Sequence, residues 1–139
     1  MSDMLAPYIW IIDDDLVAQF NAKIKIRQAG IHCNVRCFDN THTALVELMD
    51  PETPNNGQPD IIILDLSMPD IKGWEFLNQL GFILNEKAYP DIFLTSSSRV
   101  SSDINRAKEH AMVKEYFVKP LTPQNMELII EGAANLKEI

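Results

Sequence analysis

Asp13, Asp14 and Asp15 stand in a row after the apolar run YIWII, and Asp65 directly follows IIIL. Thr95 and Ser96 follow IFL, and Lys119 follows YFV. Adjacent carboxylates repel one another, and a cation relieves that cost. Carboxylate and carbonyl oxygens with room for water suit Mg²⁺. Beside such an ion an Asp is a nucleophile toward phosphorus, because aspartyl phosphates are established covalent intermediates. The metal offsets the crowding of anionic oxygens during attack. Lys119 offers a second, compact positive charge, and the Thr95 hydroxyl offers a hydrogen bond to a phosphoryl oxygen. Singly, each residue has a plainer reading. Asp14 or Asp15 caps a helix, Lys119 is a solvated lysine at a strand end, and Thr95 is a β-former on a strand. Asp15 is expected to do no more than cap. The others count only as a set, and they are a set only if the fold brings these strand ends to one rim.

The segments between them say how that happens. Tyr8 to Ile12 has the β-branched and aromatic make-up of a buried strand. Leu16 to Ala29 has helical spacing, with Val17, Phe20 and Ile24 forming one face and Gly30 placed to end it. Cys33 to Phe38 reads as a second strand. Asn40 caps a helix running to Met49, with Ala44, Leu45 and Leu48 inward. Asp50 to Pro59 (DPETPNNGQP) is a loop by composition. Ile61 to Leu64 suits a central parallel strand covered on both faces. Gly73 to Leu84 is a helix, Ile92 to Leu94 a fourth strand, Ser101 to His110 a fourth helix, and Glu115 to Val118 a fifth strand. Thr122 and Pro123 give an N-cap followed by proline at the first helical position. Met126, Ile129, Ile130 and Ala133 make the inward face of the last helix.

Strands and helices thus alternate five times. That order gives an α/β fold, a doubly wound and mostly parallel sheet with helices on both faces. Sites in such sheets lie beyond the carboxyl ends of the strands, which is where Asp13, Asp14, Asp65, Thr95 and Lys119 fall.

With 139 residues, 46% of them hydrophobic, the chain has enough apolar matter for one folded domain. The net charge of −8 disfavours attraction to DNA or anionic lipid. No apolar run reaches the ~20 residues of a membrane span, and Met1 to Pro7 do not read as a signal peptide. A soluble, cytoplasmic protein is expected. Cys33 and Cys37 match neither a CxxC nor a zinc pattern and read as reduced thiols.

Four motifs in this order, IIDDD at 11–15, ILDLSMPDIKGWEFL at 63–77, IFLTSSS at 92–98 and YFVKPLT at 116–122, make the sequence resemble a response-regulator receiver domain. The resemblance runs from about Tyr8 to Leu136. It implies a flavodoxin-like (βα)5 fold with strand order 2-1-3-4-5; one receiver domain over 1–139 (core about 8–136) without an output domain is expected. It implies that Asp65 is the phosphoacceptor and that Asp13, Asp14, Asp65 and the backbone carbonyl of Ser67 hold Mg²⁺ or Mn²⁺. Thr95 matches the switching hydroxyl, with Ser96 as its rival, Tyr116 the aromatic switch position, and Lys119 the phosphoryl-binding lysine. Pro69 and Gly73 match the loop after the acceptor, and the Lys119–Pro120 bond is expected in cis. The spacing from Thr95 to Lys119 is slightly long for the family and lacks its usual glycine, so the fourth helix and the loop after it are expected to be shaped unusually. Upstream partners implied are a histidine kinase, a histidine phosphotransfer protein, or both. The downstream target is not legible, and output is expected to be a binding event.

Rival readings are an Asp-nucleophile, Mg²⁺-dependent phosphohydrolase, a nucleotide or flavin binder, and a binding module with spent acids. The chain leaves no room for a cap domain over a hydrolase site. No glycine-rich phosphate loop follows any strand, and there are five glycines in all. The acidic set is intact, against the third. The expected role is a phosphoacceptor switch rather than an enzyme acting on other substrates.

Overall fold

The computed structural model describes residues 6–50, 58–67, 72–84, 90–97 and 101–138. Most of the Asp50–Pro59 loop, Pro69 and Ser98 lie outside these residues, as does the Ala133 side chain. The elements alternate as β1 (Tyr8–Ile12), α1 (Leu16–Gln28), β2 (Asn34–Phe38), α2 (Thr41–Met49), β3 (Ile61–Asp65), α3 (Lys72–Leu84), β4 (Asp91–Ser96), α4 (Ser101–Glu109), β5 (Val113–Val118) and α5 (Pro123–Glu138). All strand pairs are parallel, in the order β2-β1-β3-β4-β5.

Burial follows position in the sheet. β3, with a strand on either side and helices over both faces, is buried at every residue, whereas edge strand β2 alternates. Period-two alternation then splits the apolar residues into two cores. Trp10, Ile12, Ile62, Leu64 and Leu94 pack with residues of α2, α3 and α4. Ile9, Ile11, Ile63, Phe93 and Phe117 pack with α1 and α5, including the fully buried Met126, Ile129 and Ile130. Each such aliphatic side chain contributes roughly 1.5–3 kcal/mol by leaving water, so α5 is anchored firmly behind β5.

The helix starts follow local chemistry. Asp15 caps α1 by accepting from Val17 N at 2.9 Å, and Asn40 caps α2 by accepting from Thr43 N at 2.8 Å. Thr122 Oγ1 accepts from Asn125 N while Asn125 Oδ1 accepts from Thr122 N, a reciprocal cap ahead of Pro123. Gly30 has φ 77° just past α1, a conformation that glycine adopts without a Cβ penalty.

Two features depart from the sequence-based expectation. α1 does not pack through Val17 and Phe20, which are 68% and 63% exposed; its buried stripe is Gln19, Ala22 and Ile26. The helix carries apolar residues on two sides. The stripe with small Ala22 lets the helix approach the sheet closely, and Gln19 finds backbone carbonyls to bond there. Second, β5 begins at Val113 rather than Glu115. Ile92 pairs with Val113 but Phe93 pairs with Glu115, so Lys114 is an extra residue in a bulge.

Candidate functional site

The carboxyl ends of β1, β3, β4 and β5 meet at one rim. The ladder runs on beyond the strands: Leu66 N donates to Thr95 O at 2.8 Å, and Lys119 N donates to Ser96 O at 2.9 Å. These bonds hold the post-strand residues side by side.

Asp13 is fastened at several atoms. Its backbone N–H donates to Phe38 O at 2.9 Å, and its Oδ1 accepts from Asp15 N at 2.9 Å. Its Oδ2 accepts from Lys119 Nζ at 2.7 Å. Asp65 Oδ1 accepts from Ser67 N at 2.9 Å, and its Oδ2 lies 3.2 Å from Lys119 Nζ. Asp13 and Asp65 are buried, at 5% and 1% exposure, and Asp14 is exposed. Behind Asp65, α3 comes close. A Cβ on Gly73 would lie 2.8 Å from the Leu66 side chain and 3.4 Å from Asp65 O, so only glycine fits there without a shift.

The electrostatics are those of a site short of positive charge. Burial raises the Asp13 pKa, against the lowering effect of Lys119 and the Asp15 N–H, and Asp65 nearby raises it further. Burial pulls the Lys119 pKa down, but its bonds to Asp13 and Asp65 outweigh this and hold it above its ordinary value. The Lys119 ammonium pairs with Asp13 and Asp65. Asp13, Asp14 and Asp65 each offer an oxygen, all within 4.8 Å of one another. Hard oxygens converging in this way, with one exposed member leaving room for water, fit Mg²⁺ or Mn²⁺.

The remaining expected residues are distributed around this cluster. Thr95 is buried, in register with Asp65 on β3 and Phe117 on β5. It lines, with Asp13, Lys119, Val17, Ala18 and Leu121, a cleft of about 270 Å³. Ser96 is also buried, but its hydroxyl is 3.0 Å from Ser67 Oγ. Ser67 Oγ in turn accepts from Ser97 N at 3.0 Å and lies 3.3 Å from Ser97 Oγ. Tyr116, in register with Leu94, is half-buried against the core on the α2–α4 side. The Lys119–Pro120 bond is cis. Sequence reasoning missed Gln19, whose amide reaches Asp13 O at 2.7 Å; nothing in the sequence marks a glutamine between Ala18 and Phe20 for this position.

The family model of the response regulator receiver domain matches residues 9–131. The chain belongs to the response regulator receiver domain family. This receiver domain is 30% identical to two-component response regulator ORR5 of Oryza sativa subsp. japonica, over 87% of this chain and 84% of that protein. It is 28% identical to the DNA-binding transcriptional regulator NtrC of Proteus hauseri, over 90% of this chain. It spans 24% of that protein's length, and 56% of the probable transcriptional regulator ycf29 of Cyanophora paradoxa. Among solved structures, a two-component response regulator from Cytophaga hutchinsonii superimposes with a TM-score of 0.78 at 26% identity, covering 94% of this chain and 98% of that one. The receiver domain is therefore a phosphorylation-dependent signalling module of a two-component system, and nothing in these likenesses favours a phosphohydrolase. Among the described residues no helix is long and apolar enough to cross a membrane.

Proposed function

We propose that Asp65 accepts a phosphoryl group from a phosphohistidine of a histidine kinase or a histidine phosphotransfer protein. The observation carrying this reading is the buried Asp65 carboxylate, 3.2 Å from Lys119 Nζ and within 4.8 Å of the Asp13 and Asp14 carboxylates. An Asp65 oxygen attacks phosphorus, the O–P bond forms as the P–N bond breaks, and the electron pair leaves with the imidazole nitrogen, which takes up a proton. Asp13, Asp14, Asp65 and the Ser67 carbonyl would hold Mg²⁺, which would supply neutralisation of the charge on the phosphoryl oxygens. Lys119 pairs with the phosphoryl group, and the Thr95 hydroxyl donates to it.

Phosphorylation adds roughly two negative charges. Thr95 moves toward them, Tyr116 turns inward, and the face made by α4, β5 and α5 changes, a population shift between two packed arrangements. Output is a change in binding to a protein target, and the reaction on this chain is limited to transfer onto Asp65 and hydrolysis from it. Exposed Leu16, Val17 and Phe20, directly after the acidic row, give a donor an apolar surface beside that row.

The test is labelling with acetyl phosphate and Mg²⁺. Wild type gains a hydroxylamine-sensitive acyl phosphate, and Asp65→Asn gains none. Full labelling of Asp65→Asn would remove the assignment, and rapid turnover of donor by wild type with no acyl phosphate accumulating would return the hydrolase reading.

A further inference from the structure

Gln19 is a polar side chain, 8% exposed, on the packed face of α1. A buried amide is retained at low cost only when it is hydrogen-bonded, and what Gln19 bonds is informative. Its Nε2 donates to Asp13 O at 2.7 Å, with a longer contact of 3.4 Å to Phe38 O. Phe38 O also accepts from Asp13 N at 2.9 Å. The same amide thus touches the last carbonyl of β2 and the carbonyl of the first acidic residue after β1.

The position explains the need. The β1–β2 register ends at Ile12 and Phe38. Past Phe38 the chain turns into α2, whose cap Asn40 uses its side chain on Thr43. The Asp13 carbonyl, buried at the sheet's end, takes its donor from a helix side chain. The Asp13 carbonyl belongs to the peptide plane that leads into Asp14, and fixing that plane fixes where the Asp14 backbone starts. Asp14 is the exposed member of the three-carboxylate cluster.

We propose that Gln19 is a positioning residue for the divalent-cation site: by holding the Asp13 carbonyl against the end of β2, it sets the direction in which Asp14 presents its carboxylate toward Asp13 and Asp65. Preorganised ligands bind more tightly because less ordering remains to be done on binding. The effect belongs to cation affinity rather than to the chemistry at Asp65, since Gln19 reaches Asp65 only through Asp13 and Asp14. This inference rests on the reading of Asp13 and Asp14 as metal ligands.

Mg²⁺ affinity of the full chain, followed by tryptophan fluorescence, tests it, with Mg²⁺ alone as the probe. Gln19→Met keeps the side chain's length and removes the donor; it is expected to weaken Mg²⁺ binding about tenfold. The initial rate of acetyl phosphate labelling at saturating Mg²⁺ should stay within about twofold of wild type. Gln19→His places Nε2–H near the position of the amide nitrogen, and at about pH 8, where imidazole is neutral, it is expected to restore affinity. Unchanged Mg²⁺ affinity in Gln19→Met overturns the proposal. So does loss of affinity in both variants in proportion to a fall in thermal midpoint, which would make Gln19 a packing residue. A wild-type chain that binds no Mg²⁺ would overturn the metal-ligand reading itself, whereas wild-type binding with an unaffected Gln19→Met overturns this inference alone.

Discussion

The ammonium of Lys119 lies 2.7 Å from the carboxylate of Asp13, a pair drawn from positions 106 residues apart. It is closer to Asp13 than to Asp65, at 3.2 Å. The lysine thus compensates Asp13, a proposed ligand of the divalent ion. In the proposed metal site the ammonium and a divalent ion would compete for the Asp13 carboxylate.

Lys119→Ala is accordingly expected to bind Mg²⁺ more tightly, by roughly tenfold, as a charge of the same sign as the ion leaves the site. The same variant should be less stable than wild type without Mg²⁺, because Asp13 then stays buried and unpaired, and should gain more in thermal midpoint when Mg²⁺ is added. It should still be labelled by acetyl phosphate but lose the phosphorylation-dependent change in partner binding. A titration giving weaker Mg²⁺ binding would contradict the competition.

Thr95, the proposed switching hydroxyl, differs in its surroundings from Ser96. Thr95 is in register with Asp65 and shares a cleft with Lys119, whereas the Ser96 hydroxyl is engaged with Ser67. Thr95→Ala should leave labelling intact and abolish the gain in target affinity. Ser96→Ala should keep most of that gain. Binding of the phosphorylated Thr95→Ala form at wild-type strength would reject Thr95 as the moving group.

Ser67 joins the segment after β3 to the segment after β4 through Ser96 and Ser97. Ser67→Ala removes these bonds together. With a net ~0.5–1.5 kcal/mol for a typical hydrogen bond and partial exposure here, a loss of about 1 kcal/mol is expected in urea denaturation. Ser97→Leu should slow phosphoryl loss by covering the approach of water, and Ser67→Asn should speed it by holding that water in line. The readout is decay of labelled protein after the donor is removed. Decay rates that stay constant while stability changes would place lifetime control elsewhere.

At the entry to β5, His110 Nδ1 accepts from Met112 N at 3.3 Å. Burial, and then Arg106, lowers its pKa from the ordinary 6.5. The unfolded chain therefore takes up a proton more readily than the folded one, and stability rises with pH through this range. His110's contribution is complete above 6.5 and is lost as pH falls through the lower, folded value. His110→Asn retains an acceptor that does not titrate. Between about pH 7 and 5, wild type should lose more thermal midpoint than this variant. Parallel pH profiles would show that His110 is not linked to folding.

The strand ends were readable because their information is local. IIIL before Asp65 and IFL before Thr95 name buried strands, and parallel topology then brings their carboxyl ends together. The caps at Asp15, Asn40 and Thr122 were readable for the same reason. The packed side of α1 was not. Leu16, Val17 and Phe20 offer more apolar surface than Gln19 does, so a helix considered alone would bury them. What reverses the choice is the unmet Asp13 carbonyl, a need that exists only once β1, β2 and α1 are assembled. The Lys114 bulge was likewise hidden, since it depends on how β5 registers against β4.

The separation of Asp13 from Lys119 along the chain also bears on how the molecule comes together. β1 must pair with β3 across an intervening strand and two helices, and β5 joins the far side of the sheet after β4. Contacts of such long sequence range make folding slow relative to helical bundles of the same size. No fragment stopping short of β5 contains both Asp13 and Lys119, so synthesis has to pass residue 119 before the pair can form. Formation of the Asp13–Lys119 pair is thus a late event in assembly. In the native chain, a local opening that detaches β5 from β4 would break the Asp13–Lys119 pair while leaving β1, β2 and β3 paired, and amide exchange along β5 would report it.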